Sequence, residues 1–227
     1  MGSIHLVRHG QASFGAANYD QLSPLGAAQC RRLGEYLRQR GRRFDGVLIG
    51  TLQRHRQSFD ALAEGLGADA LGQPRPTVLP GLDEYDSHAV LATVHEGPLA
   101  RPETPEAYRH HFRLLREGLS RWMAGTAQPA GMPSYAEFVA GVRGALDRAR
   151  ADFGGGDVLV VSSGGPISTA VGLVLGTAPE TTIDLNMRIR NSAVTELAIT
   201  PKRYALVTFN HLPHLDEPGL ADWITHT

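Results

Sequence analysis

The run Asp157-Val158-Leu159-Val160-Val161 is the stretch of this 227-residue chain that most constrains its fold. Large and β-branched apolar residues follow one another there without a polar break, so a strand made from it buries both faces and belongs at the centre of a parallel sheet. Such a strand needs helices above and below it. Gly154-Gly155-Gly156 releases the chain into the run, which ends in Ser162-Ser163-Gly164-Gly165-Pro166 ahead of a helix expected from Pro166 to about Leu175. A strand, a Gly-rich turn and a helix N-terminus in that order aim backbone N–H groups at an anion.

Other strands follow from the same logic. Ile4-His5-Leu6-Val7 is short and apolar and breaks off at Arg8-His9-Gly10; Phe44 to Gly50 is a second buried run, and Thr77-Val78-Leu79-Pro80 a brief third that stops at Gly81-Leu82-Asp83-Glu84-Tyr85-Asp86. Residues 193–199 and 204–209 alternate like two further strands joined by a turn near Pro201. Between them lie helices. Ser23 is the expected N-cap and Pro24 the first residue of one that carries Leu25, Cys30, Leu33 and Leu37 on a face and ends at about Arg40 before Gly41. Thr51 is the expected cap of another that runs to about Leu66, with Arg54, His55 and Arg56 in its first turn. Cations at a helix N-terminus oppose the macrodipole, so a bound anion accounts for them better than helix stability does.

Residues 87–153 read as helical, with Tyr108, Phe112, Leu115 and Leu119 on one apolar face and Tyr135, Phe138, Val142, Leu146 and Ala149 on another, parted by a linker from Ala124 to Pro133. The pattern predicts one α/β domain over 1–227. It is a three-layer sandwich, with a mostly parallel central sheet, helices on both faces and a helical cap inserted at about 87–153 over the carboxyl edge.

Composition narrows the class of function. The chain has 42% hydrophobic residues, a formal net charge of -1 and a single cysteine, Cys30. That excludes a disulfide framework and a thiolate metal cluster, and no metal or cofactor is expected. No signal-peptide pattern and no run of eighteen apolar residues occurs, so the expected place is the cytoplasm, with no membrane partner. Arg31, Arg32, Arg38, Arg40, Arg42 and Arg43 form the densest cationic cluster. Without net positive charge or interleaved aromatics it reads as a solvated helix face and not a nucleic-acid site. A homodimer is left open.

Four strand ends thus carry polar chemistry: Arg8-His9-Gly10, Thr51 to Arg54, Asp83-Glu84 and Ser163-Gly164-Gly165. Together with Leu6-Val7-Arg8-His9-Gly10-Gln11-Ala12-Ser13, Leu22-Ser23-Pro24-Leu25-Gly26 and Thr51-Leu52-Gln53-Arg54-His55-Arg56-Gln57-Ser58, their order resembles the histidine phosphatase superfamily, also called phosphoglycerate mutase-like, over nearly the whole chain. The resemblance implies that His9 is the nucleophile that accepts a phosphoryl group, that Arg8 and Arg54 clamp its oxygens, and that Glu84 is the general acid, with Asp83 and Asp86 as competitors. Ser23, Ser163 and Gly164 would also contact phosphate. His9 must be neutral on its attacking nitrogen, which asks the other nitrogen to donate, and a backbone carbonyl near Gly10 is the expected acceptor. Crowded carboxylates would raise one pKa toward the acid role.

The chain departs from the family at its central strand. Ser163 stands where the family pattern places a second pocket histidine; losing one charge-assisted contact of that type costs on the order of 3 kcal/mol, roughly a hundredfold in rate. Ser163 either donates to phosphate or only caps the following helix. His211, His88 and Asn18 are candidates for the pocket rim, and His55 lies beside Arg54.

The leading expectation is a metal-independent phosphatase that hydrolyses a small phosphorylated substrate through a phosphohistidine at His9, slowed by Ser163. The alternatives are a non-catalytic phosphate-binding protein, a mutase-type phosphoryl transferase, and a serine hydrolase built from Ser163, Asp184 and His211.

Overall fold

The computed structural model describes residues 2–13, 20–72, 75–97, 99, 102–200 and 202–226. Four parallel strands form most of one six-stranded sheet: β1 (Gly2–Arg8), β2 (Gly46–Ile49), β3 (Thr77–Val78) and β4 (Asp157–Ser162). Two antiparallel strands, β5 (Val194–Ile199) and β6 (Tyr204–His211), complete it in the order β3-β2-β4-β1-β5-β6. β4, apolar from Val158 to Val161, is interior, between β1 and β2, as its two-faced burial demands. Its register sets Arg8 against Ser162 and Ile49 against Val161, so the carboxyl ends of three neighbouring strands finish at one level.

Each face has its own core. On one, α1 (Pro24–Gln39) and α2 (Gln53–Leu66) bury Cys30, Leu33, Leu37, Phe59 and Leu62 against Val7, Val47, Leu159 and Val161. On the other, α5 (Tyr135–Phe153) and α6 (Gly164–Leu175) bury Val142, Leu146, Ile167 and Ala170 against Ile4, Leu6, Leu48 and Val160. Alternate residues of each parallel strand feed alternate layers, which is what period-2 geometry requires.

The helical stretch 87–153 divides in two. Its last helix, α5, packs on the sheet, whereas α3 (Ser87–Leu91) and α4 (Pro105–Met123) join α7 (Pro179–Arg188) in a separate cluster of Val90, Leu91, Leu115, Leu119, Trp122 and Ile183. Tyr108 and Phe112, read as part of the inward face of α4, are exposed. The helix α7 gives no clear sequence signal because Thr181, Thr182 and Ile183 are β-branched. Residue 201, near the expected turn between β5 and β6, falls outside the described residues.

Two helix starts differ from expectation. Ser23 does cap α1, accepting from Gly26 N at 3.0 Å. Thr51 does not cap α2: its hydroxyl and amide go to the Asp83 carboxylate, and the amide of Gln53 is met by Asp20 Oδ2 at 2.8 Å. The helix α6 begins at Gly164, two residues before Pro166, which its first turn tolerates because no intrahelical N–H is due there. Among the described residues no helix is long and apolar enough to cross a membrane.

Candidate active site

His9 follows the last residue of β1 and is held from both sides of its peptide. Its amide donates to Ser162 O at 2.8 Å, and its carbonyl accepts from Ser192 N and Asn191 Nδ2, each at 3.2 Å. The ring is nearly fully buried, with Nδ1 2.7 Å from the Gly10 carbonyl. A carbonyl can only accept, so Nδ1 carries the proton and Nε2 keeps its lone pair. Burial, then Arg8, Arg54 and His55, holds the imidazole well below its ordinary pKa; the Gly10 carbonyl opposes this weakly. The result is a fixed, neutral imidazole that carries its lone pair on Nε2.

Two guanidinium groups flank it. Arg8 Nη1 donates to the carbonyls of Ile189 and His226, which anchor the side chain to the C-terminal segment. Arg54 lies in the first turn of α2, buried, with Nη1 2.9 Å from Asp20 Oδ1. The carboxylate therefore answers both the α2 macrodipole and the arginine, so the chain itself supplies an anion at the position where the sequence implied one.

The carboxylates of residues 83–86 are sorted into different tasks. Asp86 caps α3 through the amides of His88 and Ala89; Asp83 holds Thr51 and lies 3.7 Å from His55 Nδ1. Glu84 alone turns toward the start of α6, where Gly165 N donates to Oε1 at 3.0 Å. Burial raises the Glu84 pKa, against the lowering pull of Arg54, the Gly165 amide, Arg8 and the Tyr85 amide. Neighbouring carboxylates are not among its causes, so the crowding expected to perturb the acid is replaced by desolvation. Ser162 Oγ donates to Leu82 O at 2.6 Å and ties this acidic loop to β4. A Cβ on Gly165 would collide with Glu84 and Tyr85, and one on Gly50 with His55 and Asp83, so both positions exclude a side chain.

Ser163 has the backbone position of the α6 N-cap but makes no side-chain cap bond. The cap-only reading of this residue is thereby overturned. Its Oγ instead lies 2.7 Å from Nε2 of His55, a fully buried residue of the first turn of α2. The His55 ring is 5.9 Å from the His9 ring, centroid to centroid, and burial and then Arg54 push its pKa down to about 3. In sequence His55, beside Arg54, is one of three histidines, with His211 and His88, that could compensate for the one Ser163 replaces; what singles it out is a contact across 108 positions.

The remaining candidates are placed elsewhere. Ser23 Oγ is committed to capping α1 and to Gln11 Oε1 at 2.8 Å, so its hydroxyl serves that loop. Gly164 opens α6 beside Asn186 and Glu84. His88 and His211 are exposed, with His111 and His214 as their electrostatic neighbours, and neither joins His9. Asp184 pairs with Arg116 on the surface, so the Ser163–Asp184–His211 arrangement is not formed. Asn18 and the rest of residues 14–19 lie outside the described residues. No group of three or more His, Cys, Asp or Glu able to hold a metal occurs among the described residues. Beyond Gly165 a mainly apolar pocket opens between the sheet layer and the cap, walled by Tyr85, Leu119, Trp122, Tyr135, Phe138 and Ile183.

The family model described as the histidine phosphatase superfamily (branch 1) matches residues 4–212. No curated protein matches the chain. Similar solved structures include a phosphoserine phosphatase from Entamoeba histolytica in complex with phosphoserine, at 17% identity and a TM-score of 0.64, covering 95% of this chain and 100% of that one. The alpha-ribazole phosphatase of Shigella flexneri is 20% identical with a TM-score of 0.62, covering 92% and 96%. A phosphoglycerate mutase from Bacillus anthracis is 17% identical with a TM-score of 0.64, covering 93% and 94%.

Proposed function

The chain belongs to the histidine phosphatase superfamily, and from that premise we propose that it hydrolyses a small phosphate monoester through a phosphohistidine at His9. The observation that carries this reading is the state of His9: Nδ1 turned to the Gly10 carbonyl, the ring neutral, and Arg8 and Arg54 close enough to depress its pKa. Similar structures named as phosphatases of phosphoserine and alpha-ribazole phosphate support ester hydrolysis as the class of reaction.

In the first step His9 Nε2 attacks phosphorus, a P–N bond forms and the P–O bond to the alcohol breaks. The two arginines take up charge on the phosphoryl oxygens, which suits a loose transition state with charge spread over three equatorial atoms. Glu84, whose burial lets it keep a proton to higher pH than an exposed carboxyl, gives that proton to the departing alkoxide. In the second step the Glu84 carboxylate accepts a proton from water as that water attacks phosphorus. The P–N bond breaks, inorganic phosphate leaves and His9 is restored.

The test is a brief incubation with a phosphate monoester followed by detection of an acid-labile phosphoryl adduct on His9, alongside p-nitrophenyl phosphate turnover. The wild type is expected to form the adduct, and His9→Ala to lose both adduct and turnover. Turnover that survives His9→Ala would overturn the reading. A mutase would return the phosphoryl group to bound product instead of water, and release of inorganic phosphate stoichiometric with alcohol separates the two.

A further inference from the structure

Beside His9 sits a polar pair that the two steps above do not use. β1 and β4 run parallel with Arg8 opposite Ser162, so His9 and Ser163 are the next residues of adjacent strands, at the same level of the sheet edge. From the opposite side α2 delivers His55, whose Nε2 is 2.7 Å from Ser163 Oγ. Both side chains are fully buried, and Ser163 makes no cap bond to spend its hydroxyl elsewhere. Gly50 leaves the room: any side chain there would fall on the His55 ring.

We propose that Ser163 and His55 act as one divided donor to the transferring phosphoryl group, Ser163 Oγ–H donating to a phosphoryl oxygen while His55 Nε2–H donates to Ser163 Oγ and fixes its rotamer. A serine hydroxyl alone is a weak and freely rotating donor. Pinned by an N–H from behind, its single proton can point only forward, toward His9 and the phosphoryl group. The divided donor requires the tautomer of His55 that carries its proton on Nε2. The ring is neutral, so it carries one N–H; among the described residues Nδ1 has no hydrogen-bond partner, and Asp83 Oδ1, 3.7 Å away, accepts from Thr51 N. A proton on Nε2 meets Ser163, and the opposite tautomer would leave only serine lone pairs facing an anion. His55 is thus a positioning residue and Ser163 the group that touches substrate. The sequence suggested a histidine missing from the end of β4. In the folded chain an imidazole reaches that spot from α2, with a serine between it and the substrate.

This inference rests on the phosphohistidine reading, and its test keeps the two apart. The variants Ser163→Ala, His55→Ala, His55→Gln, the Ser163→Ala/His55→Ala double and the reciprocal exchange His55→Ser/Ser163→His are assayed for kcat and KM on p-nitrophenyl phosphate and for the rate of adduct formation on His9. Ser163→Ala and His55→Ala are each expected to lower kcat about 10- to 100-fold with a smaller change in KM, as loss of one transition-state donor does. The double is expected to lose no more than the worse single, since each removes the same contact. His55→Gln, which keeps an N–H at similar reach, is expected to recover most of what His55→Ala loses, and the reciprocal exchange to exceed both singles.

If His9→Ala is inactive while Ser163→Ala retains wild-type kcat, or the two alanine losses multiply in the double, the divided donor is refuted and the phosphohistidine reading stands. If His9→Ala stays active, both fall. Should buried His55→Ala fail to fold, Ser163→Ala and His55→Gln decide: wild-type kcat in the first, or a His55→Gln loss as large as that of Ser163→Ala, refutes the proposal. Labelling of Ser163 by a fluorophosphonate with ester turnover independent of His9 would make the serine a nucleophile and refute it as well.

Discussion

His9 and Glu84 are displaced from their ordinary pKa values in opposite directions, and catalysis needs them in particular states. His9 must be neutral to attack, so activity falls once pH drops below its depressed pKa. Glu84 must be protonated to assist the leaving group, so activity falls once pH rises above its elevated pKa. The kcat/KM profile is therefore expected to be bell-shaped, with His9 setting its acid limb and Glu84 its alkaline limb. Glu84→Gln should remove the alkaline limb and slow an alkyl phosphate far more than p-nitrophenyl phosphate, whose phenolate leaves with little help. Equal losses on both substrates would count against Glu84 as the acid. Asp20 makes a second prediction at this scale. Its carboxylate shares Arg54 and caps α2, so Asp20→Asn keeps a neutral cap while withdrawing the competing charge. Inorganic phosphate should then inhibit several-fold more tightly, at a stability cost below about 1 kcal/mol in a urea titration, because Asp20 is a third exposed.

The elements were legible in proportion to how local their causes are. β4 is written in four consecutive apolar residues, Val158 to Val161, and α1 in a Ser-Pro start, so both could be read from a few neighbouring positions. The strand ends at Arg8-His9 and Asp83-Glu84 were legible for the same reason. The cap of α2 was not, because the carboxylate that supplies it comes from Asp20, across a gap of 33 residues. The partner of Ser163 was hidden likewise: a helix first turn and a strand end become neighbours only when β2 and β4 pair. Periodicity also could not say which amphipathic helix meets the sheet, so α5 was assigned to the cap although its Val142, Leu146 and Ala149 belong to the central core. The helices α4 and α7, which share an apolar cluster apart from the sheet, wall the pocket beyond Gly165 with Leu119, Trp122 and Ile183. Gly165 and Tyr85, which line the same pocket, both hydrogen-bond Glu84, the acid of the proposed mechanism. Esters of apolar or aryl alcohols are thus expected to show higher kcat/KM than glycerol phosphate. Ile183→Trp, which fills the pocket, should erase that preference while leaving glycerol phosphate turnover within about twofold; a preference unchanged by the substitution would place the alcohol elsewhere.

Across the whole molecule, the site buries imidazoles that the fold must keep neutral, and this links stability to acid. His55 and His214 are both pushed down to about 3 by burial first, with help from Arg54 and Arg32 respectively, and His9 is lowered for similar reasons. In the unfolded chain each takes up a proton near pH 6.5, and in the folded chain it does not, so unfolding is favoured increasingly as pH falls below 6.5. Each such histidine costs about 1.4 kcal/mol per pH unit until its folded pKa is reached. Glu84 works the other way, since its raised pKa makes the folded state bind a proton first. One carboxyl cannot offset three imidazoles. The protein is therefore expected to lose several kcal/mol between pH 6.5 and 5, read as a fall in urea midpoint at constant slope. The side chain that separates this effect from catalysis is His214, whose Nε2 faces Ser192 Oγ at 2.9 Å behind the His9 carbonyl. His214→Gln keeps a hydrogen-bonding amide there and cannot titrate, so it should reduce the pH slope of stability by one histidine, about 1.4 kcal/mol per unit below pH 6.5. An unaltered slope would mean that His214 titrates alike in folded and unfolded chains. The acid limb of activity and the acid-side loss of stability arise from the same burial of imidazoles, so both bound the working range from below.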